Sequence, residues 1–202
     1  MTPFPYRIVF ARHGETAYNA EGRLQGQRNI PLNPRGRDQA AAVGRTLGRR
    51  IRPEIDALEA AGAFVASPLG RATETMELVR AAIGLEPVRY RVDPRLKELS
   101  FGDWEGLTWA EIAARDPKGL AARRADKWNF TPPRGESYAM LAERVQAWLA
   151  TLAGDVLVVA HGGTARALMT LLAGVPGPVS AGTPIVQGRA LLFDKGRYWA
   201  LE

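Results

Sequence analysis

The sequence predicts an α/β fold, a three-layer α/β/α sandwich with helices on both faces of a mostly parallel central sheet. Three observations carry that expectation. Short apolar runs alternate with helical patterns along the 202 residues, the order from which parallel βαβ sheets are built. The strongest run, Asp155-Val156-Leu157-Val158-Val159-Ala160, is apolar throughout after Asp155, as a central strand covered on both faces must be. Three of the runs end on polar motifs, and in open α/β sheets ligands bind beyond the carboxyl ends of the strands.

Taken in order, Arg7-Ile8-Val9-Phe10-Ala11 reads as the first strand and ends at Arg12-His13-Gly14. A turn-rich loop follows through Glu21-Gly22 and Gln25-Gly26. Asn33-Pro34 then opens a helix to about Arg50: asparagine caps the free amides and proline suits the first helical position. Ala63-Phe64-Val65-Ala66 is a second buried strand. Ser67 is expected as the N-cap of a helix that carries Arg71 and Thr75 to about Ile83. Residues 88–92 are expected as a third strand, and 93–106 as irregular chain. Helical patterns cover 109–115 and 138–152, the latter with Leu141, Val145, Trp148 and Leu152 on one apolar stripe. After the strand ending at Ala160, residues 164–173 read as a helix. Residues 189–193 and 198–201 then form a hairpin around Lys195-Gly196.

With 46% hydrophobic and 24% charged residues, the chain suits one globular domain over 1–202, with a variable cap region at about 104–137. No apolar run approaches the roughly 20 residues that cross a bilayer. The stretch 1–6 has neither the charged start nor the apolar core of an export signal. A cytoplasmic location and no membrane partner are therefore expected. The absence of cysteine removes disulfides, thiolate zinc sites and cysteine nucleophiles. A net charge of +6 raises the question of nucleic acid. The arginines are scattered, however, with only short groups such as Arg49-Arg50 and Arg123-Arg124. They read as solvated helix faces, so no specific nucleic-acid partner is expected. A basic surface still draws small phosphorylated molecules. A homodimer is left open.

The chain holds two histidines, and both follow an apolar strand and precede glycine: Ala11-Arg12-His13-Gly14 and Val159-Ala160-His161-Gly162. Glycine there lets other backbone, or a ligand, come close. No HxH or HExxH spacing supports a metal site, and arginine stands near both motifs, at Arg12 and at Arg71 after Ser67-Pro68-Leu69-Gly70. Arginine repels a metal cation but binds a phosphate bidentately. Phosphate is the better fit.

These residues belong to an ordered set. Arg12-His13-Gly14-Glu15-Thr16 with Asn19 is followed by Leu24-Gln25-Gly26, by Pro31-Leu32-Asn33, and by Gly36 with Gln39-Ala40. Then come Ser67-Pro68-Leu69-Gly70-Arg71-Ala72 with Thr75, Leu96-Lys97-Glu98-Leu99, Gly102-Asp103-Trp104-Glu105-Gly106, Gly135-Glu136-Ser137 and His161-Gly162-Gly163. In that order they resemble the histidine phosphatase superfamily, the phosphoglycerate-mutase-like family, over nearly the whole chain. The resemblance implies a phosphomonoester hydrolase acting on a small phosphorylated substrate, with no cofactor and no metal. His13 would attack phosphorus and form a phosphohistidine that water hydrolyses. Gly14 would fix its tautomer through a carbonyl, and Arg12 and Arg71 would keep it neutral. Arg12, Arg71 and His161 would hold the three equatorial oxygens. Asn19 and the amides of Gly162 and Gly163, at a helix N-terminus, would add donors. Glu98 would act as the acid and then the base; Glu15 and Glu105 are rival carboxylates, with Glu105 expected to tie down its loop. Trp104, Trp109 and Trp128 are expected to pack the cap over the pocket.

Mutases of this family carry an Arg-His-Tyr-like stretch after the acid, whereas Glu98 here precedes Leu99-Ser100-Phe101-Gly102-Asp103-Trp104. That stretch, and the region around Trp128 and Gly135-Glu136-Ser137-Tyr138, resembles the phosphatase branch with its α-ribazole phosphatases. Mutase activity and a silent phosphate-binding module are the alternatives. Two departures stand out: Asn29-Ile30 replaces the usual aspartate before Pro31-Leu32, and residues 183–187 lack the asparagine that faces the pocket in many phosphatases.

Overall fold

A computed structural model describes residues 4–202; the start of the stretch weighed as an export signal, 1–3, lies outside the described residues. Six strands form one sheet: β1 (Ile8–Arg12), β2 (Phe64–Ala66), β3 (Arg91–Val92), β4 (Val156–Ala160), β5 (Ala190–Asp194) and β6 (Arg197–Leu201). Their order is β3-β2-β4-β1-β5-β6. The β3/β2, β2/β4 and β4/β1 pairs are parallel, and β5 is antiparallel to both of its neighbours. Only β5 therefore runs against the rest. The helices are α1 (Ala17–Ala20), α2 (Pro34–Arg50), α3 (Arg52–Ala60), α4 (Gly70–Ala82), α5 (Trp109–Arg115), α6 (Pro117–Ala125), α7 (Tyr138–Leu149), α8 (Gly162–Ala173) and α9 (Gly177–Gly182).

The period-two alternation of a strand splits the core into two layers. Ile8, Phe10, Val156, Val158 and Ala160 face a core shared with Leu141, Val145 and Trp148 of α7 and Leu168 of α8. Val9, Ala11, Leu157 and Val159 face the opposite core, with Val43 and Leu47 of α2, Ile55 of α3 and Met76 and Val79 of α4. The sandwich expected from the sequence is present. A third, smaller cluster joins Trp104, Ile112 and Leu120. Trp104 donates its indole N–H to Asp116, 3.1 Å away, which also caps the first turn of α6 at the Gly119 amide. Phe130 stacks on Trp104 and Trp109 meets it edge-on.

Three expectations are corrected. The strand expected over 88–92 shrinks to Arg91–Val92, because Arg89 and Tyr90 spend their amides on turn bonds to Glu86 and Val88. The helix after β2 begins at Gly70, with Leu69 in the capping position. Ser67 is not its cap: the Gly70 amide goes to Asn29 Oδ1 at 2.8 Å, and the Ser67 hydroxyl is engaged elsewhere. The helix expected to Leu152 ends at Leu149. Helices α1, α3, α6 and α9 were not expected from the sequence. Asn33 caps α2 as expected, accepting from the Gly36 amide at 2.8 Å.

Among the described residues, no helix is long and apolar enough to cross a membrane.

Candidate active site

Three adjacent parallel strands bring the three polar motifs side by side. The amide of His13, just past β1, donates to the Ala160 carbonyl at the end of β4 at 2.9 Å. The amide of Ser67, just past β2, donates to the Val159 carbonyl at 2.9 Å. His161 follows Ala160, so His13, His161 and Ser67 form a row along the carboxyl edge of the sheet. The two imidazoles lie 5.1 Å apart, tilted by 59°.

The His13 ring is fixed by its own loop. Its Nδ1 lies 2.7 Å from the Gly14 carbonyl, which can only accept, so Nδ1 carries the hydrogen and Nε2 the lone pair. Arg71 Nε points at Nε2 from 3.2 Å. Glycine is required at position 14, because a β-carbon there would overlap the Gly36 carbonyl, and one at Gly36 would overlap the Glu15 backbone. This close passage clamps the His13 loop to the start of α2. The Gly14 amide is held by Thr75 Oγ1 at 3.0 Å, and Glu15 N by Gln39 at 2.8 Å.

Arg71 is fully buried. Its two terminal nitrogens donate to the Arg28 and Gly26 carbonyls at 2.7 and 2.8 Å, so only Nε faces His13. Burial first, with Arg12 adding to it against the pull of Glu98, lowers its pKa to about 10. Arg12 reaches the Ile185 carbonyl through Nη1 at 2.7 Å, while its buried Nε has no partner. His161 Nε2 lies 2.7 Å from Ser67 Oγ, and its buried Nδ1 has none either. Ser67 Oγ also accepts the Leu69 amide at 3.4 Å; with a second lone pair and its own proton it can meet either tautomer of His161.

Burial, then the charges of Arg71 and Arg12, hold His13 well below its ordinary pKa of 6.5, and the Gly14 bond only partly opposes them. His161 is held down in the same way. The sequence credited this neutrality to the arginines; the structure makes burial the larger cause. The consequence for stability is directional. Below about pH 6.5 the unfolded chain protonates histidines that the fold keeps neutral. Each such histidine removes up to about 1.4 kcal/mol of stability per pH unit. Carboxylates held low, such as Glu136, act only further down the scale. The urea midpoint is expected to fall between pH 7 and pH 5, and a midpoint constant over that window would contradict this.

Glu98 reaches the site from the loop after a 3₁₀ turn at Pro94–Leu96. Its Oε1 accepts from the Leu99 amide at 2.8 Å and the Gly163 amide at 3.0 Å. The Gly163 amide, expected on phosphate, is therefore committed to Glu98. A β-carbon at Gly163 would overlap that carboxylate. Asn19 is anchored through its acceptor: Oδ1 accepts from the Thr16 amide at 3.2 Å, in a capping box for α1, and from Gln187 Nε2 at 3.0 Å. Glu105 ties its loop, accepting from the Gln27 and Phe101 amides at 3.0 and 3.1 Å. Glu15 turns away to Asn33 and Arg35.

Sequence reasoning missed three positioning residues. Arg144 of α7 donates to the Arg95, Lys97 and Glu98 carbonyls at 2.6, 2.9 and 3.2 Å and is gripped bidentately by Glu136. Burial would raise the Glu136 pKa, but Arg144 and the Ser100 amide outweigh it and hold the group charged. Gln187, from the stretch that lacks the family's asparagine, donates to the His13 carbonyl at 3.2 Å. Arg166, one turn into α8, donates to the Thr183 carbonyl at 3.0 Å and the Tyr138 hydroxyl at 3.3 Å. Arg166 follows His161-Gly162-Gly163 within one turn and Gln187 lies in the stretch 183–187, so position was their signal; for Arg144 it was the Glu136-to-Arg144 spacing of two helix turns.

Comparison with known proteins agrees with this geometry. Residues 8–184 match the family described as the histidine phosphatase superfamily (branch 1). The chain is 37% identical over 183 residues to a glucosyl-3-phosphoglycerate phosphatase of Mycobacterium tuberculosis, covering 84% of this chain and 76% of the relative. It is 38% identical over 167 residues to a metal-independent phosphoserine phosphatase of Arabidopsis thaliana, covering 80% and 66%. A putative α-ribazole-5′-phosphate phosphatase structure from Escherichia coli superposes with a TM-score of 0.77 at 27% identity, covering 96% and 94% of the two chains. Strand-end histidines, buried arginines and the match across most of the chain agree: the chain belongs to the histidine phosphatase superfamily.

Proposed function

We propose that the protein hydrolyses the phosphate monoester of a small metabolite through a phosphohistidine on His13, without a metal ion, in the cytoplasm. One observation carries the reading. Next to a neutral His13 Nε2, the nitrogens Arg12 Nε and His161 Nδ1 are buried with no partner, and with Ser67 donating to His161 Nε2 both are donors. An unpaired buried donor costs about 1–3 kcal/mol. A phosphoryl group on Nε2 would satisfy both and meet Arg71 Nε as well. Three donors then face the equatorial oxygens, where charge is carried during transfer.

In the first step Nε2 bonds to phosphorus, the ester P–O bond breaks, and Glu98 gives its proton to the leaving alkoxide. In the second, Glu98 takes a proton from water as its oxygen attacks phosphorus, the N–P bond breaks and inorganic phosphate leaves. The Gly14 carbonyl on Nδ1–H supports the positive charge the ring acquires. The amides of Leu99 and Gly163 hold the Glu98 carboxylate in place. The lack of cysteine fits a reducing compartment.

The Ser67–His161 contact at 2.7 Å invites a serine-hydrolase reading. It fails because no carboxylate holds the other nitrogen of His161 and its basicity is strongly depressed.

Phosphate release from p-nitrophenyl phosphate is expected to persist in excess EDTA. Rapid quench with a 32P-labelled substrate should trap an acid-labile, base-stable phosphoprotein. Activity abolished by the chelator and restored by a divalent metal would overturn the proposal.

A further inference from the structure

Beyond the phosphate pocket, four cations lie on one connected path with no carboxylate within ion-pair distance among the described residues. Arg12 and Arg166 flank Gly162: a β-carbon there would lie 3.2 Å from Arg166 Nη1 and 3.8 Å from Arg12 Nε. Arg166 touches the Tyr138 hydroxyl, and Tyr138 stacks on Trp128 with centroids 6.0 Å apart at 12°. Trp128 adjoins Lys127. Arg123, four residues earlier at the end of α6, lays its guanidinium 4.5 Å over the Trp109 ring. All four cations are half-buried.

Outside the phosphate pocket, two other buried or half-buried arginines are paired with carboxylates. Arg80, with no exposed side-chain surface, is gripped by both oxygens of Glu59, and Arg144 by Glu136. On the path from Arg12 to Arg123 the cations face one another instead. Burial first, then Arg123 and Arg166, push Lys127 down to about 8. Burial first, with Arg166 adding to it against the pull of Glu98, lowers Arg12; burial and Arg166, against Tyr138, lower Arg123. Like charges brought together and partly desolvated repel, and anionic oxygens set among them would relieve that repulsion.

We propose that Arg123, Lys127 and Arg166 form a second anion subsite beside the phosphate pocket, selecting phosphomonoesters whose leaving group carries a further carboxylate or phosphate. The inference rests on the phosphatase reading above. With the reacting phosphoryl on His13, the alcohol portion of the substrate extends outward past Arg12 and Gly162, toward Arg166 and the segment 104–137. Trp128 and Tyr138 give that portion an apolar wall.

The test compares 3-phosphoglycerate with glycerol 3-phosphate, which differ only by carboxylate against hydroxymethyl, and fructose 1,6-bisphosphate with fructose 6-phosphate. The unmodified enzyme is expected to favour the doubly anionic member of at least one pair by about tenfold or more in kcat/KM. The pair that shows it tells carboxylate from phosphate. In the double variant Arg123→Gln, Lys127→Gln that preference should fall at least about fivefold, through KM, while kcat/KM for p-nitrophenyl phosphate falls less. The preference should also decline as the pH rises through about 8 and Lys127 loses its proton. A preference equal in the two proteins, or absent from the unmodified one, would sink the subsite. Binding of 3-phosphonopropionate against propylphosphonate decides the same question without turnover. A protein that hydrolyses nothing, p-nitrophenyl phosphate included, would thus sink the phosphatase reading alone.

Discussion

His13→Ala is expected to lower kcat/KM for every phosphomonoester by about 10³-fold or more, equivalent to roughly 4 kcal/mol of transition-state stabilisation. The loss follows from position. Nε2 of His13 keeps its lone pair, which accepts from Arg71 Nε at 3.2 Å, while the other nitrogen is locked to Gly14. His161 cannot replace it, since Nε2 of that ring is engaged with Ser67. The variant should still fold, because the Gly14–Gly36 clamp and the His13 backbone bonds to Ala160 and Gln187 do not use the imidazole. The 32P-labelled phosphoprotein should vanish with the activity. Phosphate release within tenfold of the unmodified enzyme would show that His13 is not the nucleophile.

Replacing Glu98 by glutamine is expected to cost about 10²–10⁴-fold in kcat/KM with alkyl phosphates, the range of general acid catalysis. With p-nitrophenyl phosphate, whose leaving group departs without a proton, the loss in kcat/KM should be far smaller. Hydrolysis of the phosphohistidine needs the same carboxylate as base, so the aryl substrate should give a burst of nitrophenol followed by slow turnover. Glutamine keeps an oxygen to accept from the Leu99 and Gly163 amides, so the loop should hold. Equal losses for both leaving groups, without a burst, would remove Glu98 as the proton donor.

The strand-end histidines were legible in the sequence because their signal is local. An apolar run fixes the strand, and the next residues must sit at its carboxyl end. The Asn33-Pro34 helix start was legible for the same reason, since a cap acts within one turn. Ser67 shows the limit of that logic. Its sequence neighbourhood is that of an N-cap, but Asn29, 41 residues away, takes the Gly70 amide, and β2 beside β4 puts the hydroxyl on His161 instead. The amides of Gly162 and Gly163 look equivalent in sequence, yet the second is taken by a carboxylate 65 residues away. Residues 88–92 carry strand formers, and turn bonds at Glu86 and Val88 cut the strand to two residues.

By itself, the sequence determined the layered α/β architecture, the family motifs, and the residue types that a phosphohistidine mechanism requires. These depend on periodicity and on contacts within a turn. Only the tertiary structure decided which nitrogen of His13 faces Arg71, that Arg144 and Glu136 brace the Glu98 loop, and that Arg123, Lys127 and Arg166 come close enough to repel one another. Those relations join segments tens of residues apart, and their strength comes from burial, which exists only once the sheet and its helices have closed around them.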